Sequence, residues 1–409
     1  MFLISRYPYP QQMQRKVAFD SKNFNRTKTK LVPDTNDSSK KISYTTGFFS
    51  PLACGVSIKY PDVFESVYKG EFERLRHSFG FQCDMPFLSS RGMREHLDED
   101  IGRAIAFCDQ LVKSVQDSIE HVFFSYIVLP PNTIASVTVG GENCPTEDIG
   151  THNFLRSTSP AFSAIAASQY VYRHNINDSE ILVDGFRYKK MSAWNQLLSK
   201  CNPQVYSHGD ECNPFISLSD IIAFLTDQKL LINGRRDTTL GKLKPENIKL
   251  AWNGYSFETD VRFLDEKSLG YYTWKSRELI DLSAHYKRPM VFFLIDRIDS
   301  QQLLAPPDDQ LEGLNRVLPS GKSETFNKQL RRTPIFRLAT KYAYLRGGCV
   351  QFFDPQTDAR MIRDGDILVY MGSHSKKTAL TLSDGLDITV FRAKDLRDNI
   401  NKIEKERRD

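Results

Sequence analysis

Three aspartates stand where a carboxylate has no packing task. Asp20 closes the short apolar run 16–20 (KVAFD), Asp184 closes the run Ile181, Leu182, Val183, and Asp220 falls in the first turns of a helix-patterned stretch at 216–230. Any one of them alone commonly caps a turn or a helix. Together they point to a shared chemistry. Carboxylates that converge repel one another unless protons or cations neutralise them, and hard oxygen ligands select Mg²⁺ or Mn²⁺. A pair of such ions about 4 Å apart stabilises both the attacking and the leaving oxygen of an in-line phosphoryl displacement, so phosphodiester hydrolysis is the reaction expected. The loop between the second and third aspartates adds His208, a candidate for proton transfer, and Asp210 and Glu211, candidates for further metal ligands.

For these acids to meet, two must end strands of one sheet and the third must ride on a helix packed beside it. The order of patterns allows this. After the first run come the strand-like stretches 44–49 and 52–58, so three strands form a meander. Tyr60-Pro61-Asp62 then starts a helix with Val63, Phe64, Val67, Phe72, Leu75 and Phe79 on one face. A second helix follows an acidic turn (Asp98, Glu99, Asp100) and carries Ile101, Ala104, Ile105, Cys108, Leu111, Val112 and Val115 at helical spacing. The run 121–129 (HVFFSYIVL) reads as a strand buried on both faces, 134–139 as a further strand, and 160–172 as a small-residue helix leading to the strand of Asp184. Last comes an amphipathic helix with Ile216, Leu218, Ile221, Ile222, Leu225 and Leu230 on its apolar side. The class expected is α/β with a mixed sheet flanked by helices.

The polar segment 21–41 holds six Lys or Arg, from Lys22 to Lys41, and reads as a flexible basic loop. A chain of 409 residues exceeds a typical single domain, and the pattern suggests a first domain at 1–235 and an accessory α/β domain, rich in β at its end, at 236–409. In the second part, 256–264 reads as a strand pair, 274–285 as a helix and 290–295 as a buried strand ending at Asp296. The stretch 328–346 reads as a basic helix with Arg331, Arg332, Arg337, Lys341 and Arg346. Strands at 349–353, 366–370, 379–382 and 388–391 precede a charged terminal helix.

Composition narrows the function classes. A hydrophobic fraction of 40% with 26% charged residues is that of a protein with a core, and a formal charge of +5 tolerates a polyanionic partner without demanding one. Seven widely spaced cysteines are odd in number and form no CxxC pair, which argues for reduced thiols rather than a disulfide frame or a zinc site. No GxxxxGK[ST] loop is present, which disfavours a P-loop nucleotide hydrolase. No apolar run reaches bilayer length, so a cytoplasmic location is expected, without membrane association.

The stretches FDSK at 19–22, FFSPLACGVSI at 48–58, ILVDGF at 181–186 and SLSDIIAFL at 217–225 resemble the RNase H-like superfamily. Within it they are similar to a family of uncharacterised prokaryotic proteins with an N-terminal Asp strand and a later helix of the form Leu-x-x-Ala-Asp-Leu-Ile-Ala. The resemblance covers roughly the first 235 residues. It implies an RNase H-like mixed sheet and a metal-dependent nuclease, with Asp20, Asp184 and Asp220 as the metal-binding acids. Two departures stand out. Ser21-Lys22-Asn23 replaces the usual Glu-Ser-Gly after the first aspartate, and Ser219 replaces the alanine before Asp220. Glu65, Glu71, Asp210 and Glu211 are the candidates to replace the missing acid. The competing expectation is a non-catalytic scaffold or binding module with a degenerate site. Nucleic acid is the expected partner, through the basic segments 22–41 and 331–346, and a protein partner is the alternative.

Overall fold

The computed structural model describes residues 15–33, 41–81, 83, 85–127, 134–139, 142–144, 162–175, 179–185, 197–232, 252, 258–264, 284–295, 333–353 and 358–407. The chain is α/β and divides into two compact units. The first comprises Met1–Gly80, Ser89–Gln204 and Pro214–Asp281; the second comprises Phe81–Leu88, Val205–Asn213 and Leu282–Asp409. The first unit therefore runs past residue 235, and strand pairing supplies a reason. Strand β8 (Glu258–Leu264) lies parallel to β3 (Ile119–Ile127), which ties the later segment to the first sheet.

In the first unit, β1 (Arg15–Pro33) and β2 (Lys41–Ile58) form one long antiparallel ladder. Residues 22–33 and 41 are thus paired strand, not the basic loop expected from their polarity. A ladder uses main-chain groups, and the Thr and Phe residues among the lysines suit a pleated surface. β2 is used twice: its later half pairs with β3, and its earlier half with β4 (Ile134–Val139), which carries β5 (Glu142–Cys144). On the other side of β1 lies β6 (Ser179–Asp184), parallel to it. Around Asp20 the strand order is β8-β3-β2-β1-β6.

Alternation decides what each face of this sheet packs against. Phe19 is buried on one face. Its ring meets Tyr170 of α4 (Phe162–His174) at 5.6 Å and Phe123 of β3 at 6.5 Å, both edge-on. Its ladder partner, Gly55, leaves the room: a Cβ there would sit 2.2 Å from the Phe19 ring. The opposite face, that of Ala18 and Asp20, meets α6 (Pro214–Ile232). Phe215, Ile216, Leu218, Ile221, Ile222, Ala223, Phe224 and Leu225 of this helix are all buried, so it is wrapped all round rather than amphipathic.

Three further helices support α6. α1 (Pro61–Ser78) has proline at its first position and buries Phe64, Tyr68, Phe72 and Leu75. Phe64 stands 4.8 Å from the Phe215 ring, and the Tyr68 hydroxyl shares a 2.9 Å hydrogen bond with Ser217. α2 spans Ser90–His96, capped by Ser89. α3 (Ile101–Val115) is capped by Asp100, which accepts from the Arg103 amide at 3.1 Å.

The second unit holds a parallel sheet in the order β10-β9-β11-β12, from β9 (Met290–Ile295), β10 (Cys349–Phe352), β11 (Ile367–Met371) and β12 (Thr389–Arg392). A three-residue strand, β7 (Gln204–Tyr206), precedes the four-residue helix α5 (Gly209–Cys212). The remaining helices are α7 (Pro334–Leu345), α8 (Ser373–Leu382) and α9 (Leu396–Glu406). One correction falls here. The stretch 379–382 was expected as a strand and is the last turn of α8, since four residues are too few to separate a period of 2 from 3.6. The tail is a parallel sheet alternating with helices, and its core packs Val291, Phe293, Phe336, Tyr342, Val350, Val369, Leu396 and Ile400. The expected helix at 274–285 falls almost wholly outside the described residues, as does Asp296.

Among the described residues no helix is long and apolar enough to cross a membrane. Cys54, Cys83, Cys108, Cys201, Cys212 and Cys349 form no disulfide.

Candidate metal centre

Asp20 ends the stretch of β1 that is buried within the first unit, and Asp220 sits on α6 where the helix crosses that strand. Both are nearly inaccessible, 5% and 4% exposed. A carboxylate oxygen of each lies within 4.8 Å of one from the other. Two oxygens bound to a single octahedral ion of Mg²⁺ size are separated by about 3.0 Å when adjacent and about 4.2 Å when opposite, given metal–oxygen bonds of about 2.1 Å. The pair is already near that spacing.

The sequence places the two acids together through Ser219. Its hydroxyl donates to the Ala18 carbonyl at 2.8 Å and so bolts the helix to the strand one residue before Asp220 and two before Asp20. Ser219 is thus a positioning group. A second holder comes from α2: the Ser90 amide donates to Asp220 Oδ2 at 2.5 Å, where the unpaired amides of a helix start favour negative charge. Asp20 Oδ1 accepts from the Ser21 amide at 2.6 Å.

Cys54 is the ladder partner of Asp20, fully buried. Burial pushes its thiol well above the ordinary range, and the charges of Asp20 and then Asp220 push it further. The thiol is therefore neutral. Burial likewise raises the Tyr68 phenol, with the Ser217 bond acting in the opposite direction. Sequence reasoning missed Ser90, Ser219 and Cys54; only Ser219 left a trace, as a departure from a motif.

Asp184 is placed differently. The parallel ladder of β1 with β6 ends at Phe19 and Val183, so Asp184 follows the last pair, half-buried. Its carboxylate is not within 4.8 Å of those of both Asp20 and Asp220. Its main-chain carbonyl accepts from Ser163 on α4 at 2.7 Å. Glu65 and Glu71 lie on α1, where Glu71 pairs with Arg74 at 2.8 Å.

His208, Asp210 and Glu211 belong to the second unit. His208 adopts a left-handed backbone conformation, φ 57°, just before α5, and its ring packs edge-on against Phe336 at 5.9 Å. That is a packing contact for a residue expected to move protons. Asp210 and Glu211 are both on α5 and half-buried, and the Glu211 amide donates to the His208 carbonyl at 3.1 Å. Of the basic helix, Arg331 and Arg332 fall outside the described residues. Lys341 pairs with Glu404 of α9 at 2.9 Å, and the Arg346 guanidinium lies 5.5 Å from the Tyr342 ring centroid.

The donors at Asp20 and Asp220 are hard oxygens in a buried setting, which fits Mg²⁺ or Mn²⁺. Such an ion offsets the repulsion between the two carboxylates, and a bound divalent cation also polarises phosphoryl oxygens and acidifies water.

A protein from Archaeoglobus fulgidus, described as an uncharacterised protein, is 24% identical over 243 residues, covering 58% of this chain. The match covers 62% of that relative's length. No solved structure matches. A family model, described as a domain of unknown function (DUF8203), matches residues 31–281. That region ends where the first unit ends, includes Asp220 and begins after Asp20. The chain belongs to the DUF8203 family.

Proposed function

We propose that the first unit is a metal-dependent nuclease of RNase H-like architecture, in which Asp20 and Asp220 hold Mg²⁺ or Mn²⁺ for phosphodiester hydrolysis. The observation that carries this reading is the buried approach of the two carboxylates across the contact of β1 with α6. A buried site that brings two carboxylates together fits a cation. The mixed sheet, with β2 antiparallel and β6 parallel to β1, is compatible with this reading, but the expected three-strand meander of 16–20, 44–49 and 52–58 is not formed: the last two runs are one strand, β2, and three helices separate it from β3.

In this reading the chain's own groups do three things. Ser219 and the Ser90 amide fix the aspartate of α6, the Ser21 amide fixes that of β1, and the neutral Cys54 thiol keeps a third negative charge out of the cluster. A two-metal site needs further ligands. Asp184, Asp210 and Glu211 are the sequence candidates for that role.

The experiment pairs a metal titration with an assay. Thermal unfolding of the full chain with millimolar Mn²⁺ should rise by several degrees, and Asp20→Asn and Asp220→Asn should each abolish the shift. Cleavage of single-stranded DNA, RNA and hybrid duplexes should fall at least about 100-fold in each variant, as expected when a metal-holding carboxylate is lost. Asp184→Asn, Asp210→Asn and Glu211→Gln in the same titration identify the remaining ligands. A metal-induced shift and a cleavage rate unchanged by Asp220→Asn would sink the assignment and leave the non-catalytic scaffold.

A further inference from the structure

The face of the first sheet turned away from Asp20 carries a group of rings that the carboxylate pair does not use. On β3, residues 121, 123 and 125 alternate onto the side that α4 covers. Ser125 donates to Gln169 of that helix at 3.3 Å, and the Phe123 ring meets Tyr170 at 5.4 Å. His121 comes next along the same row. On α4, His174 stands four residues after Tyr170 and so shares its side of the helix. The His121 and His174 rings are 5.1 Å apart at 70° to each other, and Tyr170 lies against both, 4.4 Å from His174 and 5.7 Å from His121.

Two imidazoles that share one ion, each through a nitrogen at about 2.0–2.1 Å, have ring centres about 5 Å apart when the angle at the metal is near tetrahedral. The separation found matches that value. The surroundings suit a cation as well. His174 closes the last turn of α4, where main-chain carbonyls run out of helical partners and the helix dipole favours positive charge. Tyr170 and Phe123 are buried and give the pair an apolar floor, whereas His174 is exposed and leaves a side open to solvent for entry and for water ligands. The adjacent acid, Glu120, is engaged elsewhere: it pairs with Arg15 at 2.8 Å and accepts from the Ser57 hydroxyl at 3.1 Å. The donor set is therefore a pair of imidazoles.

We propose that His121 and His174 form a second metal site, which takes an imidazole-preferring divalent transition ion of the Zn²⁺ or Cu²⁺ class with water completing its coordination. Imidazole donors select such ions over Mg²⁺ and Mn²⁺, which prefer hard oxygens. The ion clasps the end of α4 to β3. That helix also meets Phe19, the neighbour of Asp20, through Tyr170, and the Asp184 carbonyl through Ser163. The clasp thus fastens the layer behind β1, and it does not depend on the nuclease reading.

The test is a Zn²⁺ titration of the full chain by calorimetry, with Mg²⁺ in large excess to fill the carboxylate pair. A Zn²⁺ ion should bind the wild type, and His121→Gln and His174→Gln should each weaken that binding at least about 10-fold, as loss of a metal-site partner does. Paramagnetic resonance of bound Cu²⁺ adds a readout that a folding defect would not imitate: nitrogen splitting from two imidazoles in the wild type, and from one in His174→Gln. Because His174 is exposed, His174→Gln should keep the metal-free melting temperature of the wild type and lose the rise that Zn²⁺ brings. Asp20→Asn and Asp220→Asn should keep the Zn²⁺ binding; if they also keep the Mn²⁺-induced shift and the cleavage, the nuclease reading alone falls. Absence of Zn²⁺ binding by the wild type, or binding undiminished in both histidine variants, would overturn the site.

Discussion

The two units bury aspartates in opposite ways. In the second unit Asp366, at the start of β11, is almost fully enclosed and is met by positive and donor groups from several segments. The Arg288 guanidinium pairs with Oδ2, the Arg363 amide donates to the same oxygen at 2.9 Å, and the Met290 amide donates to Oδ1 at 2.9 Å. Arg288 is itself held by the Met361 carbonyl at 2.8 Å. In the first unit Asp20 and Asp220 each accept a main-chain amide, yet they face each other and a buried thiol. The first arrangement stitches the ends of adjacent strands together. The second keeps like charge in place. Stability explains Asp366 on its own; for the pair, the proposed cation would supply a reason.

The contrast predicts effects of opposite sign. Asp366→Asn removes the partner of a half-buried guanidinium and should cost about 3 kcal/mol, as when a buried pair loses one member. Chemical denaturation should show this as a lower midpoint with an unchanged slope. A loss below about 1 kcal/mol would mean that the strand ends hold without the carboxylate.

The next effect tests close approach in each unit. In the first, a Cβ on Gly55 would meet the Phe19 ring at 2.2 Å; in the second, one on Gly348 would meet the Pro289 carbonyl oxygen at 1.8 Å. Gly55→Ala and Gly348→Ala should each cost about 1–3 kcal/mol by overpacking. The main-chain clash at Gly348 should cost more than the ring clash at Gly55, since a ring can tilt. The comparison breaks if Gly55→Ala proves the worse.

What the sequence disclosed follows the same division. The buried runs at 16–20, 181–184 and 290–295 were legible because apolar strands ending in Asp are short and unambiguous. The helix of Asp220 was legible as a helix, but its burial on every side was not, because serines and a threonine among the apolar residues imitate a polar face. Ser217, Ser219 and Thr226 instead bond within the core, to Tyr68, to Ala18 and to the Ile222 carbonyl. The long ladder was hidden for the reverse reason: lysines on a strand look like a loop when the partner strand is not in view. The approach of Asp20 to Asp220 depended on a helix-to-strand bond across 201 residues, which no local pattern encodes.

The smallest effect is the most discriminating. Without metal, Asp20→Asn and Asp220→Asn remove one of two facing charges while keeping an oxygen that accepts the Ser21 or Ser90 amide. Each should therefore leave stability unchanged or raise it by up to about 1 kcal/mol in EDTA, as relief of like-charge repulsion at a functional site does. With Mn²⁺ present the order should invert, because the wild type gains binding energy that the variants lack. A double variant separates the causes. If repulsion is the source, Asp20→Asn with Asp220→Asn should gain less than the sum of the single changes, since the first removal already ends the repulsion. If each single change instead destabilises in EDTA by as much as Asp366→Asn, the pair is a structural device like its counterpart in the second unit, and the difference between the two units disappears.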